Sequence, residues 1–155
     1  MSTAPVFHIA LMNPEIGPNA GNIGRLCLGI GARLHLVHPL GFQTDDKAVR
    51  RAGLDYWKHV DVVEHESEAA FWQWVGERRV WPFTTKSNVS YAKIDWHEGD
   101  ILLFGPESSG LDERTLAERG GWTIPMSGPI RSLNLSNAVA VVSYAALQNL
   151  RGEMF

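Results

Sequence analysis

The sequence predicts an α/β fold with a mostly parallel sheet covered by helices on both faces. Short apolar runs alternate along the chain with segments of helical periodicity, which is the pattern of strand-helix-strand units. The run at residues 100–104, Asp-Ile-Leu-Leu-Phe, lacks polar alternation and indicates a strand buried on both faces. At roughly 100–200 residues per domain, the 155 residues predict a single domain over positions 1–155.

The first half of the chain opens with an apolar run that ends at Asn13-Pro14 and is predicted to be a strand. Apolar residues at Ile23, Leu26 and Ile30 then follow helical spacing. The elements predicted here are a strand at 6–12, a helix at 19–32, a strand at 33–38 closed by Pro39, a short basic helix at 45–51 and a strand at 60–63.

The second half continues the alternation. Its predicted elements are a helix at 67–78, a strand at 80–84 interrupted by Pro82, the strand at 100–104, a helix capped by Asp112 and ending at 119, a short strand at 122–125 and a helix at 134–150. The last helix carries one apolar stripe formed by Leu135, Val139, Val142, Ala146 and Leu150. This stripe predicts that the helix packs against the rest of the fold.

Composition narrows the class of protein. Hydrophobic residues make up 45% and charged residues 20%, which is typical of a globular chain. The net charge is −3, yet residues 19–58 hold six basic and three acidic side chains. Nucleic-acid binders usually have a stronger positive balance, so composition alone gives little support to RNA binding. A single cysteine, Cys27, and the lack of a secretory signal or a bilayer-length apolar run predict a cytoplasmic protein.

Three loops rich in glycine, asparagine and serine follow predicted strands, at residues 18–25, 104–111 and 126–137. Taken singly, each is explained by turn formation. The carboxyl ends of parallel strands share one edge of a sheet, where ligands bind in α/β folds. The three loops together therefore predict a ligand site.

Known nucleotide-binding motifs are missing from these loops. Thr85-Lys86-Ser87 lacks the preceding glycines of a P-loop, and Gly29-Ile-Gly31 ends a predicted helix instead of opening one. The ligand is therefore not expected to be held by a phosphate cradle.

Other chemistries have weaker support. Ser108 suggests a small α/β hydrolase with Glu107 or Asp112 orienting a histidine, but Pro106 replaces the glycine that a nucleophile elbow needs. No metal site is predicted, because His35 and His38 lie three apart on a strand and face opposite sides. His59 and His65 are equally well explained as surface side chains. The aromatic residues favour core or dimer packing over RNA stacking; they are Phe71, Trp72, Trp74, Trp81 and Phe83.

The three loops resemble, in order, the three motifs of the SPOUT superfamily of knotted methyltransferases. The matching segments are Asn-Ala-Gly-Asn-Ile-Gly-Arg at 19–25, Phe-Gly-Pro-Glu-Ser-Ser-Gly-Leu at 104–111, and Ile-Pro-Met at 124–126 leading into Arg-Ser-Leu-Asn-Leu-Ser-Asn-Ala at 131–138. Residues 45–57 also resemble the TrmL-type branch, which methylates the ribose 2′-oxygen of the wobble nucleotide of tRNA. The resemblance covers essentially the whole chain.

The resemblance implies a deep C-terminal trefoil knot, which is a rare exception to unknotted chain connections. It also implies S-adenosyl-L-methionine as cofactor, with S-adenosylhomocysteine as product, bound by Phe83, Gly105, Ile124, Ser132 and Leu133. The residue types agree, because adenine requires an apolar slot and a few backbone groups. A cofactor without phosphates is consistent with the missing P-loop.

The resemblance further implies a homodimer that acts on tRNA, with no membrane or metal. Catalytic roles fall on Arg25, Ser132 and Asn134, where Arg25 either removes the ribose proton or positions the hydroxyl or phosphate. The tRNA contacts implied are Asn19, Lys86, Arg50, Arg51 and Arg131. Glu107 either takes part in the reaction or orders its loop, and Asn137 caps or braces the last helix. Methylation of another tRNA or rRNA site, and a non-catalytic RNA-binding module, remain alternatives.

Overall fold

The structure is a computed structural model that describes residues 4–45, 47 and 54–155. Its sheet contains five strands in the order β3-β2-β1-β5-β4, and all neighbouring strands are parallel. The strands are β1 (His8–Met12), β2 (Arg33–Val37), β3 (Val62–His65), β4 (Val80–Phe83) and β5 (Ile101–Phe104). The predicted parallel α/β architecture is confirmed.

Helices connect the strands and are held at their ends by local side chains. Those that lie wholly within the described residues are α1 (Gly17–Ile30), α2 (Glu68–Val75), α3 (Glu113–Arg119) and α4 (Leu135–Leu150), with 3₁₀ turns at Asp55–His59, Tyr91–Lys93 and Gly152–Met154. Asp112 caps α3 as predicted, because its Oδ1 accepts a hydrogen bond from the Thr115 backbone nitrogen at 2.8 Å. None of the helices within the described residues is long and apolar enough to cross a bilayer.

The sheet has an apolar core on each face. On β1, Ile9 and Leu11 pack on one side with α1 and α4, whereas Ala10 and Met12 pack on the other side with α2. Residues of the predicted stripe on α4, including Val139, belong to the first core. Successive strand residues point to opposite faces, so burial of every residue of β1 is what a sheet covered on both sides produces.

Two predicted elements need correction. The expected strand at 122–125 is reduced to isolated bridges that pair Trp122 with Phe83 and Thr123 with Ser90. The strand expected at 60–63 begins at Val62, because Val60 closes the preceding 3₁₀ turn with a hydrogen bond to the Trp57 carbonyl. The short helix expected at 45–51 falls largely outside the described residues.

The bridges at Trp122 and Thr123 hold this segment against β4 and the loop that follows it. The Trp122 nitrogen donates to the Pro82 carbonyl at 2.9 Å, and the Thr123 nitrogen donates to the Val89 carbonyl at 2.7 Å. The Ser87 hydroxyl donates to the Gly121 carbonyl at 2.8 Å. The loop after β4 thus holds residues 121–123 on two sides. This arrangement agrees with the knot, whose threading stays a prediction.

A row of three buried histidines crosses the sheet on the face covered by α2. His8 Nδ1 lies 2.8 Å from His35 Nε2, and His35 Nδ1 lies 2.9 Å from His65 Nε2. Trp74 of α2 covers the row, with its ring centroid 4.4 Å from that of His35. We call these three residues the histidine ladder. The expectation that His65 is a surface side chain is wrong, because it is 93% buried between His35 and Phe71.

His38 and the aromatic residues singled out in the sequence lie in different surroundings. His38 lies apart from the histidine ladder and pairs with Glu64, with Nε2 and Oε1 2.7 Å apart. Phe71 and Phe83 are buried in the two cores, in agreement with the packing interpretation of the aromatic residues.

Candidate functional site

The three predicted loops meet at one cavity of about 400 Å³ at the carboxyl ends of β4 and β5. Its walls come from residues 83–86, 104–110, 122–124 and 131–135, together with Ile16, Asn19, Met126 and Ala138. The shared position confirms that the loops after different strands converge at one edge of the sheet.

Two phenylalanines form an apolar floor for the cavity. Phe83 ends β4 and Phe104 ends β5, and register pairing places the two side by side. Their ring centroids lie 5.0 Å apart with an interplanar angle of 17°. Both side chains are more than 90% buried. The small part of each ring that stays accessible faces the cavity and forms a flat apolar surface there.

The loop after β5 folds back closely on itself at Gly105. A Cβ atom at this position would lie 2.3 Å from the Gly110 carbonyl carbon and from the Leu111 nitrogen. The Gly110 nitrogen donates to the Pro106 carbonyl at 2.8 Å and closes the turn. Glycine is therefore required at 105 for the loop to present its backbone to the cavity.

Glu107 ties this loop to the start of α1. Its Oε1 accepts a hydrogen bond from the Glu15 nitrogen at 2.8 Å, and its Oε2 accepts from the Ile16 nitrogen at 2.9 Å. Burial raises the pKa of the Glu107 carboxyl, but these backbone donors and the Asn19 amide outweigh it and lower the pKa overall. Glu107 is therefore an ionised anchor that orders the loop.

Asn19 and Asn134 continue this network toward α4. Asn19 Nδ2 donates to Glu107 Oε2 at 3.2 Å, and Asn134 Nδ2 donates to Asn19 Oδ1 at 3.1 Å. The acceptor-only carboxylate of Glu107 fixes the orientation of both amides. Asn134 Oδ1 then accepts from the Ser136 nitrogen at 2.9 Å and caps α4. The expectation that Asn137 caps this helix is wrong, because Asn134 does so.

Ser108 has a carboxylate partner instead of a catalytic histidine. Its hydroxyl donates to Glu15, with distances of 2.7 Å to Oε1 and 2.9 Å to Oε2, and its backbone nitrogen donates to Oε1 at 2.8 Å. Within the described residues, no histidine lines the cavity. The arrangement does not support the hydrolase alternative, which needs a base beside the serine.

The structure brings most of the predicted site residues to the cavity. All five residues predicted to bind the cofactor line it, namely Phe83, Gly105, Ile124, Ser132 and Leu133. Asn19, Lys86, Arg131 and Asn134 line it as well. Arg50 and Arg51 lie outside the described residues.

Arg25 is not among the residues that line the cavity. It lies on the exposed side of α1, and its guanidinium carbon is 5.9 Å from the centroid of the Tyr56 ring. The Tyr56 hydroxyl in turn donates to the Gly21 carbonyl at 2.9 Å. Arg25 is therefore held at the outer surface of α1.

Sequence reasoning missed Glu15, Ile16, Thr84 and Thr85 at this site. Glu15 and Ile16 lie between β1 and α1, just before the quoted motif, and Thr84 and Thr85 follow β4. The sequence signal that could have identified them is that each follows a predicted strand, since all four residues occupy the carboxyl edge of the parallel sheet.

The fold and the cavity define an α/β protein that binds a compact ligand where its parallel strands end. Comparison with known proteins narrows this class, because the sequence profile of the SpoU rRNA Methylase family matches residues 6–144. The chain belongs to this family.

Individual relatives are similar over nearly the full length. The tRNA (cytidine(34)-2′-O)-methyltransferase of Escherichia coli K12 is 44% identical over 149 residues, which cover 94% of each chain. The protein of the same name from Saccharophagus degradans is 45% identical, with 94% of this chain and 96% of the relative covered. A solved structure described as giving insight into 2-OH methylation of C/U34 on tRNA is 47% identical, with a TM-score of 0.88 and coverage of 94% and 97%.

Proposed function

We propose that this protein transfers a methyl group from S-adenosylmethionine to the ribose 2′-hydroxyl of the wobble nucleotide of tRNA. The observation that carries the proposal is the convergence of three loops on one cavity. The chain around that cavity is 44% identical to a tRNA (cytidine(34)-2′-O)-methyltransferase. The wobble position is supported by relatives that match this chain over 94% of its length and are named for methylation of cytidine 34.

The cavity suits S-adenosylmethionine in size and chemistry. Its volume of about 400 Å³ lies within the range of small-molecule sites. The Phe83–Phe104 floor provides an apolar surface for adenine, and the backbone of Gly105, Ile124 and Leu133 provides hydrogen-bonding groups. When bound, S-adenosylmethionine supplies a methyl group on a positively charged sulfur, and S-adenosylhomocysteine remains as product.

Methyl transfer demands alignment of the ribose oxygen more than strong acid or base groups. Ser132 is exposed at the mouth of the cavity, and its hydroxyl is available to bind the ribose. The Asn134 side chain is already committed to Asn19 and to the α4 cap. We therefore assign Ser132 to substrate contact, and Asn134 to positioning the segment that carries Ser132.

Arg25 acts in the cavity of a second subunit in this proposal. The exposed apolar residues Leu28 on α1 and Val141 and Tyr144 on α4 provide the surface for a homodimer. Such a dimer brings Arg25 of one subunit to the loops of the other. Because a guanidinium stays protonated, Arg25 positions the ribose hydroxyl or its phosphate and does not remove the proton.

The tRNA backbone is bound by cations around the cavity in this proposal. Lys86 and Arg131 are exposed on two loops that line it. Arg50 and Arg51 belong to the locally basic stretch of an otherwise acidic chain. A dimer joins the basic stretch of one subunit to the cavity of the other and so makes the surface around the cavity locally more positive, although each chain carries a net charge of −3. The protein acts as one domain in the cytoplasm, where tRNA is modified.

The proposal is tested by two measurements on the purified protein. Calorimetric titration with S-adenosylhomocysteine should show one site per chain, and incubation with tRNA and labelled S-adenosylmethionine should place the label on the ribose at position 34. Binding of tRNA without cofactor affinity would indicate an RNA-binding module. Methylation at another nucleotide would refute the wobble assignment, and ester cleavage lost in Ser108→Ala would favour the hydrolase.

A further inference from the structure

Two glutamates join the loops after β1 and β5, because each accepts hydrogen bonds from the other loop. Glu107 of the second loop accepts hydrogen bonds from the Glu15 and Ile16 nitrogens. In the opposite direction, Glu15 accepts hydrogen bonds from the Ser108 nitrogen and hydroxyl. We call Glu15, Glu107 and Ser108 the carboxylate clasp. Each loop therefore holds the other.

The segment that carries Glu15 is anchored from the other side as well. The Gly41 nitrogen donates to the Pro14 carbonyl at 2.9 Å, and a Cβ atom at Gly41 would lie 2.4 Å from the Glu15 carbonyl oxygen. The Asn13 nitrogen donates to the Val37 carbonyl at 3.0 Å. Glu15 thus projects from backbone that is fixed by the turn after β2.

Glu15 itself does not line the cavity, whereas every residue from Gly105 to Gly110 does. Within the described part of the chain, the hydrogen bonds of its carboxylate to a cavity-lining residue all go to Ser108. Gly110 and Gly105 close the loop at its base, so the Glu15 contact fixes the part of the loop that is farthest from β5. Charge-assisted hydrogen bonds are shorter and stronger than neutral ones, which suits this task.

We propose that Glu15 is a positioning residue that sets cofactor affinity by holding residues 105–110 in their binding conformation. This inference rests on the proposed use of S-adenosylmethionine. Without Glu15 the loop samples other conformations, and the ordering cost is then incurred when the cofactor binds. The chemical step is unaffected once the cofactor saturates the site, because Glu15 touches neither substrate nor cofactor.

The first test measures S-adenosylhomocysteine affinity by calorimetry. Glu15→Ala should raise Kd about tenfold with unchanged stoichiometry, and kcat at saturating S-adenosylmethionine should stay within about twofold. Glu15→Gln retains one acceptor oxygen and should show a smaller rise. Glu66→Ala, which removes another exposed glutamate, is the matched control and should leave Kd unchanged. A variant that is merely partly unfolded would show reduced stoichiometry and kcat instead.

The second test asks whether Glu15 acts through Ser108. If it does, Glu15→Ala combined with Ser108→Ala should bind S-adenosylhomocysteine as Glu15→Ala alone does, within about twofold. Fully multiplied effects of the two substitutions would overturn the proposal.

A third measurement separates this inference from the proposed function. Hydrogen exchange of the ligand-free protein should speed up at residues 105–111 in Glu15→Ala, most of all at the Ser108 amide. Unchanged exchange there would refute the clasp even if the wild-type protein binds cofactor. Faster exchange in a protein that binds no S-adenosylhomocysteine would support the clasp and refute the cofactor assignment.

Discussion

The carboxylate clasp and the histidine ladder are two polar clusters on the same sheet, and they differ in the charge state that the fold stabilises. The clasp lies at the exposed carboxyl edge, and its glutamates accept hydrogen bonds from backbone nitrogens. The ladder lies under α2, where His35 is 1% exposed and bonds only to other imidazoles within the described residues. One cluster is stable when ionised, and the other is stable when neutral.

The difference follows from what each cluster offers as a partner. Backbone nitrogens and the Asn19 amide stabilise the Glu107 anion and lower its pKa despite partial burial. Burial is the main cause that lowers the pKa of His8 to about 4, with smaller contributions from Arg33 and Arg78. Burial also lowers the pKa of His35 to about 2, together with the neighbouring His8 and His65 and the same two arginines. Asp61 opposes this effect at His8. Polar groups thus hold two loops together at the edge of the sheet and fill the core beneath the helix.

Neutral imidazoles also impose an order on the ladder. Each neutral ring has one donor and one acceptor nitrogen, so His35 must donate to one neighbour and accept from the other. All three rings must therefore adopt the same tautomer, protonated either at Nδ1 or at Nε2. If the ladder took up two further protons, two N–H donors would face each other at one of the His35 contacts.

The largest expected effect is a loss of stability on acidification. Unfolded histidines titrate near 6.5, whereas His8 and His35 stay neutral in the fold down to about pH 4 and about pH 2. The unfolded chain therefore binds more protons below pH 6.5, and the free energy of unfolding falls. At pH 5 each of these two residues contributes a loss of about 2 kcal/mol, or about 4 kcal/mol together.

Urea unfolding at pH 7.5 and pH 5.0 measures this loss. The exposed His59 provides the control, because His59→Gln should retain the same dependence. Glu107 does not contribute in this window, since a lowered carboxyl pKa affects stability only as pH falls below its ordinary value of 4.5. Equal stability at the two pH values would contradict the neutral ladder.

Breaking the ladder at its centre should have the next largest effect. His35→Ala removes the partner of both His8 and His65 and leaves a space beneath Trp74. We expect a loss of about 3 kcal/mol at pH 7.5, with a weaker pH dependence than the wild type. His38→Ala is the matched control from the next turn, where an exposed pair with Glu64 is worth less than about 1 kcal/mol. Similar losses in the two variants would remove the distinction between buried and exposed histidines.

Arg25→Ala should slow methyl transfer without affecting cofactor binding. If Arg25 aligns the ribose in the partner's cavity, its loss should reduce kcat about 100-fold. The Kd for S-adenosylhomocysteine should not change, because Arg25 does not line the cavity of its own chain. Arg114→Ala, at an exposed pair with Glu118 on α3, serves as control. Full turnover in Arg25→Ala would refute its role.

The sequence was sufficient to predict the parallel α/β class and the edge that carries the site. Both depend on short-range patterns, such as the unbroken apolar run of β5 and the Asp112 cap. The histidine ladder was missed because its members are 27 and 30 residues apart, and strand register alone brings them together.

The carboxylate clasp escaped prediction for the same reason, as Glu15 and Ser108 are 93 residues apart. The Asn134 cap depends on backbone geometry at the start of α4, which the apolar spacing of the helix does not specify. Local spacing therefore identified the site loops, while long-range pairing determined which side chains hold them.

The charge of the clasp should have a smaller effect than the loss of Arg25. Glu107→Gln keeps the shape of the side chain but replaces one acceptor oxygen with a donor amide, which then faces a backbone nitrogen of Glu15 or Ile16. We expect the Kd for S-adenosylhomocysteine to rise about tenfold, with Glu113→Gln on α3 as an unaffected control. An unchanged Kd would show that the loop holds its conformation without the Glu107 anion.

The pH dependence of binding sharpens the contrast with the ladder. Hydrogen-bond donors hold the pKa of Glu107 below its ordinary value of 4.5, so the carboxylate stays ionised from pH 7.5 to pH 5.5. Affinity of the wild-type protein for S-adenosylhomocysteine, measured by calorimetry, should vary by less than about twofold over this range. The unfolding free energy should already decrease over the same range. Parallel decreases in affinity and stability would mean that the two clusters are coupled through β1, which joins His8 to the segment carrying Glu15.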